Sequence, residues 1–156
     1  MKSRKGLRDD LHTIFRAALR AVDPGQAIRA QLHRDGHRLH VSDHEYDLRQ
    51  YEGVYVVGMG KAGAAMAGAI EDVLGTRVGG GHVIVKYGHG APVQHVTVHE
   101  AGHPIPDEAG VRATRTLMAF VRGRGPRDLI ICLLSGVGRP CPPPPARASA
   151  WPRSKR

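Results

Sequence analysis

Lys61 follows two closely spaced glycines, Gly58-Met59-Gly60-Lys61, and that run separates an apolar stretch, Val54-Tyr55-Val56-Val57, from an alanine-rich one reaching Leu74. A strand feeding a helix through glycines can bring backbone N–H groups close to an anion. The helix start presents unpaired donors and the positive end of its dipole. An ammonium in a first helical turn opposes that dipole by about 0.3–1 kcal/mol, and a bound phosphate would reverse the sign. The bland alternative is a solvated lysine at a glycine turn. Spacing alone leaves both readings open.

Three other patterns compete for the same residues or lie near them. Gly58-x-Gly60-x-x-Gly63 satisfies the dinucleotide fingerprint, which expects an acid near the end of the next strand to hold a ribose. That strand, Val83-Ile84-Val85, ends at Lys86 with no acid close by, so nicotinamide binding ranks second. A Walker A loop is excluded by the spacing and by Ala62, which stands where a metal-binding hydroxyl belongs. His99-Glu100-Ala101-Gly102-His103 matches the zinc-protease pattern, which needs both histidines one turn apart on a helix. Val96-Thr97-Val98 ahead of it, with Gly102 and Pro104 interrupting it, argue against a helix. The match reads as accidental. The loops Gly88-His89-Gly90 and Gly102-His103-Pro104-Ile105-Pro106-Asp107 read either as turn chemistry with exposed histidines or as the rim of the cleft that holds Lys61.

The elements that must position these residues follow from periodicity. Leu7, Leu11, Ile14, Phe15, Ala18, Leu19 and Val22 share one face of a helix, expected to turn inward. Asp23-Pro24 closes it and starts a second helix with Ile28 and Leu32 inward. Arg38–Val41 and Tyr46–Leu48, with Ser42-Asp43 between them, suggest a small hairpin. Beyond it come a strand at Val54–Val57, a helix to Leu74 stopped by Gly75, and strands at His82–Tyr87 and His95–His99. A helix opens at Pro106-Asp107-Glu108 with Ala113, Leu117, Phe120 and Val121 apolar, and a buried strand spans Asp128–Leu134. Alternating strands and helices predict an α/β fold: a Rossmann-like, mostly parallel sheet with helices on both faces, behind an N-terminal helical segment.

The totals narrow the partners. The chain has 156 residues, enough for one domain with a core, and a formal net charge of +9. Five of the basic residues and no acid lie from Arg139 onward, so the body is only mildly basic. With few aromatics and no recognisable nucleic-acid motif, nucleic-acid binding is a weak reading. Cys132 and Cys141 suggest neither a disulfide framework nor a metal cluster. No run approaches the length of a membrane span and no early segment resembles a signal peptide, so a cytoplasmic protein is expected. Residues 139–156 hold six of the eleven prolines without hydrophobic periodicity and are expected to be disordered.

Four motifs in order carry a more specific signal. They are Val57-Gly58-Met59-Gly60-Lys61-Ala62, Tyr87-Gly88-His89-Gly90, Glu100-Ala101-Gly102-His103-Pro104-Ile105-Pro106-Asp107-Glu108-Ala109-Gly110, and Leu133-Leu134-Ser135-Gly136. Together they resemble glycerate 2-kinases of the MOFRL type, some of which are labelled hydroxypyruvate reductases; the similarity runs from Leu7 to Gly138. The resemblance implies phosphoryl transfer from ATP to the 2-hydroxyl of D-glycerate with a divalent metal such as Mg. It implies an active site between this α/β domain (1–138) and a separate C-terminal domain. Lys61 matches the family's proposed catalytic lysine, placed to neutralise the transferring phosphoryl group. Gly58, Gly60, His89, His103, Asp107, Ser135 and Gly136 are the expected substrate- or nucleotide-binding residues, and no metal ligand is expected. A second catalytic cation, an arginine, comes from a later part of the family's chain, so no activity is expected of this chain alone.

After Gly136 the pattern departs. The family continues Ser-Gly-Gly-Gly-Ser-Ala-Leu, and this chain reads Ser135-Gly136-Val137-Gly138-Arg139-Pro140-Cys141. Deleting one G from codons for Gly-Gly-Gly-Ser-Ala-Leu yields Gly-Val-Gly-Arg-Pro-Cys, so Arg139–Arg156 is read as a frameshift product. A non-catalytic anion-binding module, an NAD(P)-dependent reductase-like protein and a basic scaffold remain as alternatives.

Overall fold

A computed structural model describes residues 4–136; the expected tail, 139–156, lies outside the described residues. The chain runs α1 (Arg4–Ala21), α2 (Pro24–Gln31), β1 (Leu32–Asp35), β2 (Arg38–Val41), β3 (His44–Asp47), β4 (Gly53–Met59), α3 (Gly63–Leu74), β5 (Val78–Lys86), β6 (Val96–Ala101), α4 (Glu108–Arg122) and β7 (Asp128–Leu134). β4 to β7 form a sheet in the order β6-β5-β4-β7, with every neighbouring pair parallel. The α/β class and the parallel sheet are as the alternation of apolar segments requires. β1, β2 and β3 form a separate antiparallel sheet.

One core joins the two sheets. Val54, Val56 and Val83 from the parallel sheet meet Ala67, Ile70 and Leu74 of α3, and Leu32 and Leu39 of the small sheet, with Leu48 just after β3, close the cluster. Burying a side chain such as Ile70 completely contributes about 1.5–3 kcal/mol. Two guanidiniums tie the small sheet to the end of α3: Arg34 donates to the Leu74 carbonyl and Arg77 to the Leu48 carbonyl, each at 2.7 Å. Gly75, at φ +56°, ends α3 in the left-handed region that glycine adopts at little cost.

Two expectations need correction. Leu32 is buried, but as the first residue of β1 and not as a helical position. The chain becomes extended there and pairs Leu32 with Val41, so tertiary pairing ends the short helix at Gln31. The second concerns α1. Its stripe does not enter the core: Leu7, Leu11, Ile14, Phe15, Leu19 and Val22 are between 52% and 75% exposed. Periodicity reports that a face is apolar; it does not report what covers it. The cap at Asp23 is as read, its Oδ1 accepting from the Gln26 N–H at 2.7 Å.

Candidate functional site

Because β4, β5, β6 and β7 are parallel, their carboxyl ends, Met59, Lys86, Ala101 and Leu134, share one edge. Every residue singled out from the sequence lies on that edge. Gly58 is the last but one residue of β4, and Gly60 and Lys61 follow it. His89 follows β5, His103 and Asp107 follow β6, and Ser135 and Gly136 follow β7. Strands lie about 4.8 Å apart, so the loops after β4, β5 and β7 are neighbours while the His103–Asp107 loop stands about two strand spacings from Lys61.

The loop after β4 is held from both sides. The Gly60 N–H donates to the Ile84 carbonyl at 3.0 Å, and the Ser135 N–H donates to the Met59 carbonyl at 3.1 Å. Gly60 adopts φ +112°, and a β-carbon there would run into the carbonyl and hydroxyl of Ser135. Ala62, at the N-cap of α3, has no capping side chain of its own. Ser135 supplies one across the sheet, its Oγ accepting from the Ala62 N–H at 3.0 Å. Lys61 is exposed, and no ion pair among the described residues engages it. An uncompensated ammonium therefore sits beside the positive end of α3, an arrangement that a bound anion would stabilise.

Carboxylates fix the histidine loops. Glu100 Oε1 accepts from the Gly88 N–H at 3.1 Å and the Gly90 N–H at 3.2 Å, bracketing His89. Asp107 caps α4 by accepting from the Gly110 N–H at 2.9 Å, and its Oδ2 accepts from the Tyr87 hydroxyl at 2.8 Å. The Gly110 N–H, then the Tyr87 hydroxyl, hold the Asp107 carboxyl below its usual range, and the same bond raises the Tyr87 phenol. His103 is exposed in its loop. The segment ahead of β6 is gripped by Glu71 of α3, a buried carboxylate that accepts from the backbone N–H groups of Gln94, His95 and Val96 at 2.6–2.9 Å. Nothing in the sequence marked Glu71, and Glu100 stood out only as a member of the histidine motif and of the family motif that overlaps it.

That motif is extended, not helical, since β6 runs through His99-Glu100-Ala101. His99 instead faces His82 of β5, Nε2 to Nδ1 at 2.9 Å, under the Phe120 ring of α4. Burial, then the His99 charge, lowers the His82 pKa. Among the described residues no group of three or more His, Cys, Asp or Glu is arranged to hold a metal ion. The glycine turn, the start of α3 and Lys61 suit the phosphates of a nucleotide. Mg commonly rides on such phosphates with few protein ligands, so the residues present fit MgATP through its phosphates. A cavity of about 520 Å³ runs along α3 beside Arg29, Asp72 and Pro92 and is lined by none of the candidate residues.

Fold and site together define a parallel α/β domain with the Gly60-Lys61 turn and the histidine loops gathered at one edge of the sheet. The chain matches the family model described as a domain of unknown function, DUF4147, over residues 10–148, and it belongs to that family. It is 34% identical over 121 residues to the glycerate 2-kinase of Pyrococcus horikoshii, an alignment covering 78% of this chain and 27% of that protein. Against the glycerate kinase of Mus musculus it is 32% identical over 164 residues, covering 93% of this chain and 31% of the relative. An Agrobacterium vitis protein provisionally designated a hydroxypyruvate reductase is 36% identical over 131 residues, 84% of this chain and 27% of that one. Among solved structures, the glycerate kinase of Thermotoga maritima superimposes with a TM-score of 0.64 at 30% identity, covering 85% of this chain and 29% of that one. The resemblance drawn from the four motifs is thus shown. The chain spans between 27% and 31% of the length of these relatives.

Proposed function

We propose that this chain is the phosphate-handling part of a glycerate 2-kinase, acting in phosphoryl transfer from ATP to the 2-hydroxyl of D-glycerate. The observation that carries the reading is the Gly60-Lys61-Ala62 turn at the start of α3. There the backbone can approach a phosphate closely and Lys61 has no competing partner among the described residues. Phosphoryl transfer asks little covalent chemistry of a protein and depends on positioning and on neutralising charge. Lys61 would lower the energy of the equatorial oxygens of the transferring group. The α3 N-terminus would hold the neighbouring phosphate, and Ser135 and Glu100 would keep the two loops in register. Mg, carried with ATP, supplies further charge neutralisation when bound. Residues 1–138 form the nucleotide side of this site. A second domain, which the resemblance implies, would complete it, so the chain alone is expected not to turn over glycerate.

The runner-up is an NAD(P)-dependent reductase, favoured by the designation of the Agrobacterium relative. Against it, β5 ends at Lys86, a cation where ribose recognition needs an acid. Glycerate-dependent ADP release from the isolated chain, abolished by Lys61→Ala, would contradict its inactivity. Protection against thermal unfolding by NADH and not by MgATP would contradict the kinase reading.

A further inference from the structure

α1 stands outside the core: none of its residues is buried and none joins the central cluster. Its apolar stripe faces water from Leu7 through Leu11, Ile14 and Phe15 to Val22, just past the helix end. A helix of 18 residues is about 27 Å long, and a continuous stripe of that length is a patch of the size that marks an interaction site. The charges of α1 are set against its own dipole. Arg4 and Lys5 lie in the first turn with no acid beside them there, where the free N–H groups already carry positive charge. Neither cation makes an ion pair among the described residues. Two residues past the other end of the helix stands Asp23, the cap of α2.

We infer that α1 is a self-association surface whose occupant is α1 of a second copy of this chain, lying antiparallel to the first. In that orientation the stripe complements itself. Full overlap sets Leu7 level with Val22 of the second copy, Leu11 with Ala18 and Ile14 with Phe15, each pairing repeated by the two-fold axis. The same overlap carries Arg4 and Lys5 to the carboxyl end of the second helix, the negative pole of its dipole, and towards Asp23 beyond it. Symmetry supplies that relief twice. A parallel pair would instead set Arg4, Lys5 and Arg8 against their own copies. An anionic lipid surface would accept the apolar face, but Asp9 and Asp10 in the second turn oppose it. Two faces of this length remove on the order of 1,000 Å² from water, the low end for a specific complex, so the dimer should dissociate on dilution. Such pairing holds whether or not Lys61 meets a nucleotide.

Sedimentation of the full chain over a concentration series should show a monomer–dimer equilibrium, which Leu11→Glu with Ile14→Glu should weaken at least about a hundredfold. Arg4→Glu with Lys5→Glu separates the antiparallel pair from unspecific apolar association. Acids suit the start of α1, so helix content should hold or rise while the dimer weakens at least about fivefold. Association strengthened by that substitution overturns the inference. Disulfide trapping reads the orientation in a chain carrying Cys132→Ser and Cys141→Ser. Ile14→Cys alone should give a cross-linked dimer on oxidation. Leu7→Cys alone should not, because its two copies would lie about 22 Å apart along the helix axis; mixed with Val22→Cys it should. Self-linking of Leu7→Cys as fast as that of Ile14→Cys, or a monomer at every concentration, overturns the inference. A monomer that sediments with phosphatidylserine vesicles through Leu11 and Ile14 would assign the stripe to a lipid surface instead.

Discussion

Lys61 and Ser135 show how one residue's setting decides its chemistry. Lys61 opposes the α3 dipole in the free protein, so Lys61→Ala should leave stability unchanged or raise it by up to about 1 kcal/mol. The same substitution should weaken MgATP binding at least about tenfold. Urea unfolding with and without MgATP separates the two effects, and parallel losses in both would refute the assignment. Glu71 tests a different kind of contribution. Glu71→Ala leaves three backbone N–H groups without their acceptor and should cost about 2–4 kcal/mol, read as a lower urea midpoint. The sequence hid this residue because its partners are backbone groups 23 to 25 positions away, which no spacing rule anticipates. Lys61 was legible because glycine spacing and dipole physics are local.

Among the elements, the strand–helix alternation from Val54 to Leu134 was readable, since buried parallel strands write themselves as short apolar runs. β1 was not, because Leu32 continues the helical pattern of α2 and only pairing with Val41 makes it a strand. α1 was half legible: its amphipathic face was plain and its lack of a buried partner was not. Leu11→Glu with Ile14→Glu should therefore leave the unfolding midpoint unchanged while reducing concentration-dependent association in light scattering. The packing of α4 adds a pH dependence. The His82 pKa lies below 6.5 in the folded state, so this stabilising effect is complete above about pH 6.5. It is lost as pH falls through the depressed value, because the unfolded chain takes up the proton first. The urea midpoint should drop between pH 7.5 and 5.5, and His82→Phe should flatten that drop. An unchanged slope in the variant would place the titration elsewhere.

For the whole molecule, the four loops at one sheet edge are the structural fact on which function turns. No helix among the described residues is long and apolar enough to cross a membrane. Sequence motifs placed every candidate residue after a strand, and parallel pairing then required them to share an edge. Strand order, however, was not written in the motifs, and it decides that Ser135 lies beside Lys61 while Asp107 lies at the far side. Titrating the wild-type chain and Lys61→Ala with MgATP and with NADH, followed by thermal unfolding, tests the central claim most directly. The account predicts that MgATP alone raises the wild-type midpoint and that the variant loses at least about a factor of ten in affinity. Equal MgATP affinity in both proteins, or protection by NADH alone, would contradict it.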